Sequence, residues 1–160
     1  MNLAVRTSQI AILVLAILAI GVIQSCSQRQ KVASDPKDCV IKLFGAMERN
    51  DQGVIAHLLD LPALMSIRDE DYALQTSSPR VFRDPVDVLE DLTGEGLTKA
   101  RWFSMQRVIG AVEEFGDSAK VEVSFINKNT NTQYYNKFGL HKVNGRWKIY
   151  SFKTLSPDIK

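Results

Sequence analysis

Past Arg101 the apolar residues of this chain stop recurring every three or four positions and begin to alternate. That change of period dictates helices first and strands last, because one helix face repeats near every 3.6 residues and one strand face every two. "AKVEVSF" alternates cleanly, with Ala119, Val121, Val123 and Phe125 on one face. "WFSMQRVIGAVEEF" reads as a long strand ahead of it, with Gly116 and Asp117 as the turn between them. A polar hairpin loop, "NKNTNT", leads into a third strand, "QYYNKFGLHKV". Asn144 followed by Gly145 is a strong two-residue hairpin signal, and "RWKIYSF" closes the sheet. In that last strand Trp147 and Ile149 share one face, Tyr150 and Phe152 the other.

The first half carries matching helix signals. In "SDPKD", Asp35 is placed to cap, Pro36 suits the first helical position, and Asp38 lies near the positive end of the dipole. Cys39, Val40, Leu43, Phe44 and Met47 follow at helical spacing, so one face is apolar. The helix is expected to stop near "ERNDQG", where Asp51 can cap a second one carrying Val54, Ile55, Leu58 and Leu59 on one face. A short turn of helix is expected around Pro62. "DPVDVLEDLTGEG" repeats the start signal with Asp84, Pro85 and Asp87, and Gly94 and Gly96 end it. Helices followed by a four-strand antiparallel meander make an α+β domain, with the helices packed across the concave face of a curved sheet.

The 160 residues, 45% hydrophobic and 24% charged, suit one such domain plus an extra segment. Only Cys26 and Cys39 carry thiols, so a packed core rather than a disulfide framework must hold the domain together. The balance of 20 Lys+Arg against 18 Asp+Glu argues against nucleic acid as a partner, since phosphate binding needs a basic face.

The extra segment is the amino terminus. One basic side chain, Arg6, precedes an unbroken apolar run over residues 10–23, shorter than the about 20 residues a helix needs to cross a bilayer. A basic start, a short apolar centre and small residues after it are the parts of a secretory signal peptide. "VIQSC" resembles the lipobox of bacterial lipoproteins: Ile23 three before the cysteine, Gln24, the small Ser25, then Cys26. The resemblance implies cleavage between Ser25 and Cys26 and a diacylglycerol thioether on Cys26. Residues 1–25 are then the signal peptide, 26–34 a lipidated flexible tether, and 35–160 the folded domain. The competing reading is an uncleaved anchor helix that stretches the apolar run at both ends. Lipidation implies a cell-envelope location, with membrane lipid as partner through Cys26. Ser27 after the cysteine favours the outer membrane, facing the periplasm, in a Gram-negative cell.

Two stretches carry a further likeness. "CVIKLFGAMERNDQGVIAHLL" resembles the paired opening helices of the nuclear-transport-factor-two-like superfamily, and "FGLHKVNGRWKIYSF" its last hairpin. The order of elements over residues 35 to about 153 agrees with that cystatin-like cone. The resemblance implies a cone-shaped cavity, which in this superfamily serves isomerases, dehydratases, polyketide cyclases and many non-catalytic members. Members resembling ketosteroid isomerase place a tyrosine on the first helix and an acidic base on the sheet. Here the matching positions offer Leu43 or Phe44, and Ala119, Val121, Val123 and Phe125. Buried acid–base chemistry needs a titratable group in the pocket, and no catalytic residue is assigned.

The remaining candidates have plain readings. His57 lies near the edge of an apolar helix face, His141 beside Lys142 reads as solvent-side, and the two do not make a metal site. Cys39 reads as a buried helix residue. "RDEDY" lacks the glycine and later glutamate of a calcium loop. No metal and no cofactor are expected. Phe44, Trp102, Phe125, Phe138 and Trp147 either line a pocket for a small apolar ligand or fill the core. Tyr134, Tyr135, Tyr150 and Phe152 are placed on the outer sheet face, which would suit a homodimer or an envelope protein partner. The favoured function is a membrane-anchored, non-catalytic binding or accessory module. The alternative is a small cavity-type isomerase or hydrolase drawing Asp69, Asp71 or Tyr72 from the irregular loop over residues 68–83.

Overall fold

The computed structural model describes residues 35–66 and 82–155, all within the larger of two units, Val32–Lys160. The expected signal peptide, Ser25, Cys26, the tether and most of the loop over residues 68–83 lie outside the described residues. No helix among the described residues is long and apolar enough to cross a membrane.

Among the described residues five helices precede four strands: α1 Pro36–Glu48, α2 Gln52–Leu58, α3 Leu61–Ser66, α4 Pro85–Asp91, α5 Leu97–Phe103, β1 Gln106–Phe115, β2 Ser118–Asn127, β3 Thr132–Val143 and β4 Arg146–Leu155. The expected caps form. The Asp35 carboxylate accepts from the Asp38 N–H at 2.7 Å, and Asp84 from Val86 and Asp87 at 2.8 and 3.1 Å. Each satisfies amides that the first helical turn leaves without partners, with proline where the missing N–H costs nothing. At the end of α1, Asn50 takes the left-handed conformation, φ 57°, and the Asp51 N–H reaches back to the Ala46 carbonyl at 2.9 Å. This six-to-one closure lets Asp51 cap α2 immediately, through Val54 N–H at 3.0 Å. One tight joint therefore sets the angle between α1 and α2.

The strands form a single antiparallel sheet in the order β1-β2-β3-β4, the expected meander. Asn144 and Gly145 both have positive φ, 51° and 74°, the conformation a two-residue turn between twisted strands requires. The helical layer is stitched to the free edge of β4. Leu59 bridges Ile149, and the Asp60 N–H donates to the Ile149 carbonyl at 2.8 Å. The core between the layers is continuous, from Cys39, Val40, Leu43 and Met47 on α1 to Val121, Val123, Leu140 and Ile149 on the sheet. The structure thus has the expected α+β architecture, helices against an open four-stranded antiparallel sheet.

Three expectations are corrected. "WFSMQRVIGAVEEF" is not one strand, because Trp102 and Phe103 end α5 and the strand begins at Gln106. The N-cap of α5 is Gly96, which has no side chain, and the first-turn amide of Thr98 is met from seven residues back by Asp91 Oδ1, so no local start signal appears in the sequence. A Cβ on Gly96 would sit 2.2 Å from the Asp91 carbonyl oxygen, so only glycine fits this close approach of the two helices. The aromatic pair favours a strand in isolation, and packing overrides that preference. Tyr134 is not on the outer face: it pairs with Phe125 and packs against the core, because the pleat sends it and Tyr135 to opposite faces. Phe152 is also not on the outer face: it is 1% exposed and belongs to the core. Gly139 pairs with Ser151 and Leu140 with Ile149, leaving Tyr150 as an extra residue in β4. This bulge reverses the alternation and turns Phe152 inward. Outside, the Tyr150 ring lies over Gly139, where a Cβ would come within 2.8 Å of it.

Candidate ligand site

The inner face of the sheet and the helices above it gather five aromatic rings. Phe44 comes from the apolar stripe of α1, Trp102 from the last turn of α5, Phe125 from β2, Phe138 from β3, and Phe152 from β4 after its bulge. The Trp102 indole is the hub, with centroids 5.2 Å from Phe125, 5.5 Å from Phe138, 5.3 Å from Phe152 and 5.8 Å from Phe44. Phe44 adds edge-on contact with Phe125, and Phe138 with Phe152 at 4.9 Å. Such offset and edge-to-face pairs are favoured by ring quadrupoles beyond the area they bury.

Four of the five residues expected to line a pocket are therefore brought together. Trp147 is buried in the same core but looks elsewhere, with Lys142 Nζ 4.8 Å from its ring. Its carbonyl accepts from the Cys39 thiol at 3.5 Å.

Two polar side chains that the sequence reading passed over belong to this face. Arg107 follows the inward alternation of β1 with Ile109, and both positions are half-buried. Its guanidinium lies 3.9 Å from the Phe103 ring centroid and 5.7 Å from that of Phe44, and Nη1 donates to the Trp102 carbonyl at 3.2 Å. Burial lowers its pKa from the usual value, yet a guanidinium keeps its charge in proteins. Asn136 follows the alternation of β3 with Phe138 and Leu140, opposite Val123. It is 0% exposed, and neither its Nδ2 nor its Oδ1 has a hydrogen-bond partner. A signal was available for Asn136, two residues before the pocket or core candidate Phe138, whereas no face of the first strand was assigned and Arg107 had none.

Among the described residues Asp91 is the buried carboxylate, and it serves the joint between α4 and α5 by accepting from the Thr98 N–H at 3.3 Å. Beside that joint an open cleft of about 490 Å3 is lined by Gln52, Glu90, Thr93, Gly94, Glu95 and Leu97, among others. Its polar groups largely serve the fold. Gln52 donates to Thr93, and the Asn50 side chain accepts from the Gly94 N–H and from Lys99.

His57 is exposed, with Arg146 Nη1 3.5 Å from its Nε2. His141 is half-buried on the outer side, where its Nε2 and Asp60 Oδ2 are 2.7 Å apart and its ring lies 4.9 Å from Tyr150. The same Asp60 carboxylate accepts from the Ala63 N–H, so the pair ties α3 to the sheet. Asp69, Asp71 and Tyr72 lie outside the described residues. No group of three or more potential metal ligands occurs among the described residues.

No family model matches the chain, and neither does any curated protein. Solved structures do resemble it. One is a candidate NTF2-like transpeptidase from Campylobacter jejuni, 18% identical, with the match covering 72% of this chain and 97% of that one at a TM-score of 0.45. Another is a candidate dehydratase of the NTF2-like family from Streptomyces avermitilis, 17% identical over 70% of this chain and 86% of that one, TM-score 0.45. The likeness concerns the fold.

Proposed function

We propose that this chain is a membrane-anchored lipoprotein of the cell envelope whose domain binds a small apolar ligand without transforming it. The location rests on the signal-peptide pattern of residues 1–25 and the lipobox-like "VIQSC" ending at Cys26. The binding role rests on one observation: a cluster of aromatic rings on the inner sheet face with a guanidinium stacked at its border. Flat rings supply apolar area, and a single cation orients an amphipathic guest by its anionic end. Neither Arg107 nor Asn136 exchanges protons near neutral pH, so neither supplies the acid or base that catalysis in the site would need. The rings pack on one another, so a guest takes the place of the Trp102 indole. α5 is suited to give way, being a single short helix of seven residues.

The test uses 1-anilinonaphthalene-8-sulfonate, an apolar double ring bearing an anion, with the Trp147→Phe variant so that emission reports Trp102 alone. Saturable binding of one dye per folded chain is expected, with Trp102 emission moving to longer wavelength. Arg107→Gln should weaken binding about tenfold, as expected for loss of one charge-assisted contact. No saturable binding, with Trp102 emission unchanged, would contradict the proposal.

A further inference from the structure

Asn136 is the least explained residue of the core. A buried carboxamide without partners gives up its hydrogen bonds to water and gains none in return, so an apolar residue of the same size would serve a purely structural core better. Its neighbours do not compensate. Val123 faces it across the β2–β3 ladder and Thr154 pairs with it across the β3–β4 ladder, Phe138 follows two residues along the same face, and neither atom of the carboxamide is hydrogen-bonded. Oδ1 and Nδ2 are an acceptor and a donor about 2 Å apart, the pattern that pairs with a second amide edge through two parallel bonds.

We propose that Asn136 is the polar anchor of the ligand site, and that the ligand class is a flat apolar molecule carrying a cis-amide edge, a lactam or cyclic imide. The inference rests on the binding reading above. The ring cluster takes the body of the ligand, and Asn136 Nδ2 donates to the ligand carbonyl while Oδ1 accepts from the ligand N–H. Arg107 then lies toward the β1 edge of the sheet. Inward residues at Arg107, Phe125 and Tyr134 form one row across the strands, and Ile109, Val123 and Asn136 form the next. The anchor and the guanidinium are therefore separated by two strands and one row, on the order of 10 Å. A ligand with both an amide edge and an anionic group at that spacing would engage both.

The test compares 2-quinolone with naphthalene, two rigid double rings of similar shape of which only the first has the amide edge. Each is titrated by calorimetry into the wild-type chain and into Asn136→Leu, with Asn136→Val as a second variant should leucine crowd the site. The readout is the ratio of the two affinities, which cancels general changes in the pocket. The ratio should fall about tenfold in the variant, the value of two neutral hydrogen bonds, through loss of quinolone binding rather than of naphthalene binding. Both probes binding with a ratio that Asn136→Leu leaves unchanged would overturn the anchor and leave the pocket standing. Neither probe binding to the wild-type chain would overturn the pocket, and the anchor with it.

Discussion

Replacing Trp102 by alanine is expected to destabilise the domain by about 4 kcal/mol, within the range found for buried tryptophan and phenylalanine truncations. The indole is 1% exposed and touches the rings of Phe44, Phe125, Phe138 and Phe152. Its removal deletes the contact on which all four converge. It also loosens α5, whose last turn carries this anchor. Urea unfolding of wild type and variant measures the difference, as a lower midpoint with little change in slope. Trp102→Phe keeps an aromatic ring at the hub and should lose about half as much. A cost below about 1 kcal/mol for the alanine variant would mean that the indole is not packed as described.

The second large effect is a loss of stability in alkali that runs through Cys39. Burial, reinforced by the neighbouring Asp38 carboxylate, pushes this thiol up to about 12 from an ordinary 9.0. The neutral form also donates to the Trp147 carbonyl, a bond the thiolate cannot make. Between those two values the unfolded chain releases the proton and the folded chain keeps it. Stability from this group is therefore complete below pH 9 and declines as pH rises toward 12. A gap of about 3 pH units corresponds to about 4 kcal/mol over the full window. Cys39→Val removes the thiol while keeping the apolar contact, so it isolates the effect from other groups that titrate in alkali. The stability of wild type relative to Cys39→Val should drop by about 3 kcal/mol between pH 8 and pH 11. Parallel pH curves for the two proteins would show that the thiol is not buried in its neutral form.

What could be read in advance follows from how local each signal is. Asp35, Asp51 and Asp84 announce their helices because a cap is made within three residues of itself. The alternation of Ala119, Val121, Val123 and Phe125 announces a core face because the pleat alone sets it. α5 was hidden because its start is fixed by Asp91, whose backbone Gly96 approaches and whose carboxylate accepts from the Thr98 N–H, and not by a side chain at the N-cap itself. Phe152 was assigned to the wrong face because one extra residue, Tyr150, reverses parity and leaves no mark in the hydrophobic pattern. Phe44 and Phe125 were legible on their proper faces, whereas Trp102 was read into a strand rather than the last turn of α5. Arg107 and Asn136 were not weighed, because polar residues at inward positions are usually taken for interruptions of a pattern. The Asp60–His141 pair joins residues 81 apart in sequence, and only the bridge of Leu59 to Ile149 brings them together.

The central claim is that this domain works while tethered to a membrane through Cys26, and the intact mass of the chain extracted from membranes of its native host tests it most directly. The account predicts a chain that begins at Cys26 and carries added acyl mass, and a Cys26→Ser variant that retains residues 1–25. A mass that includes Met1 and carries no lipid would contradict it, making residues 10–23 an anchor helix and Cys26 an ordinary thiol.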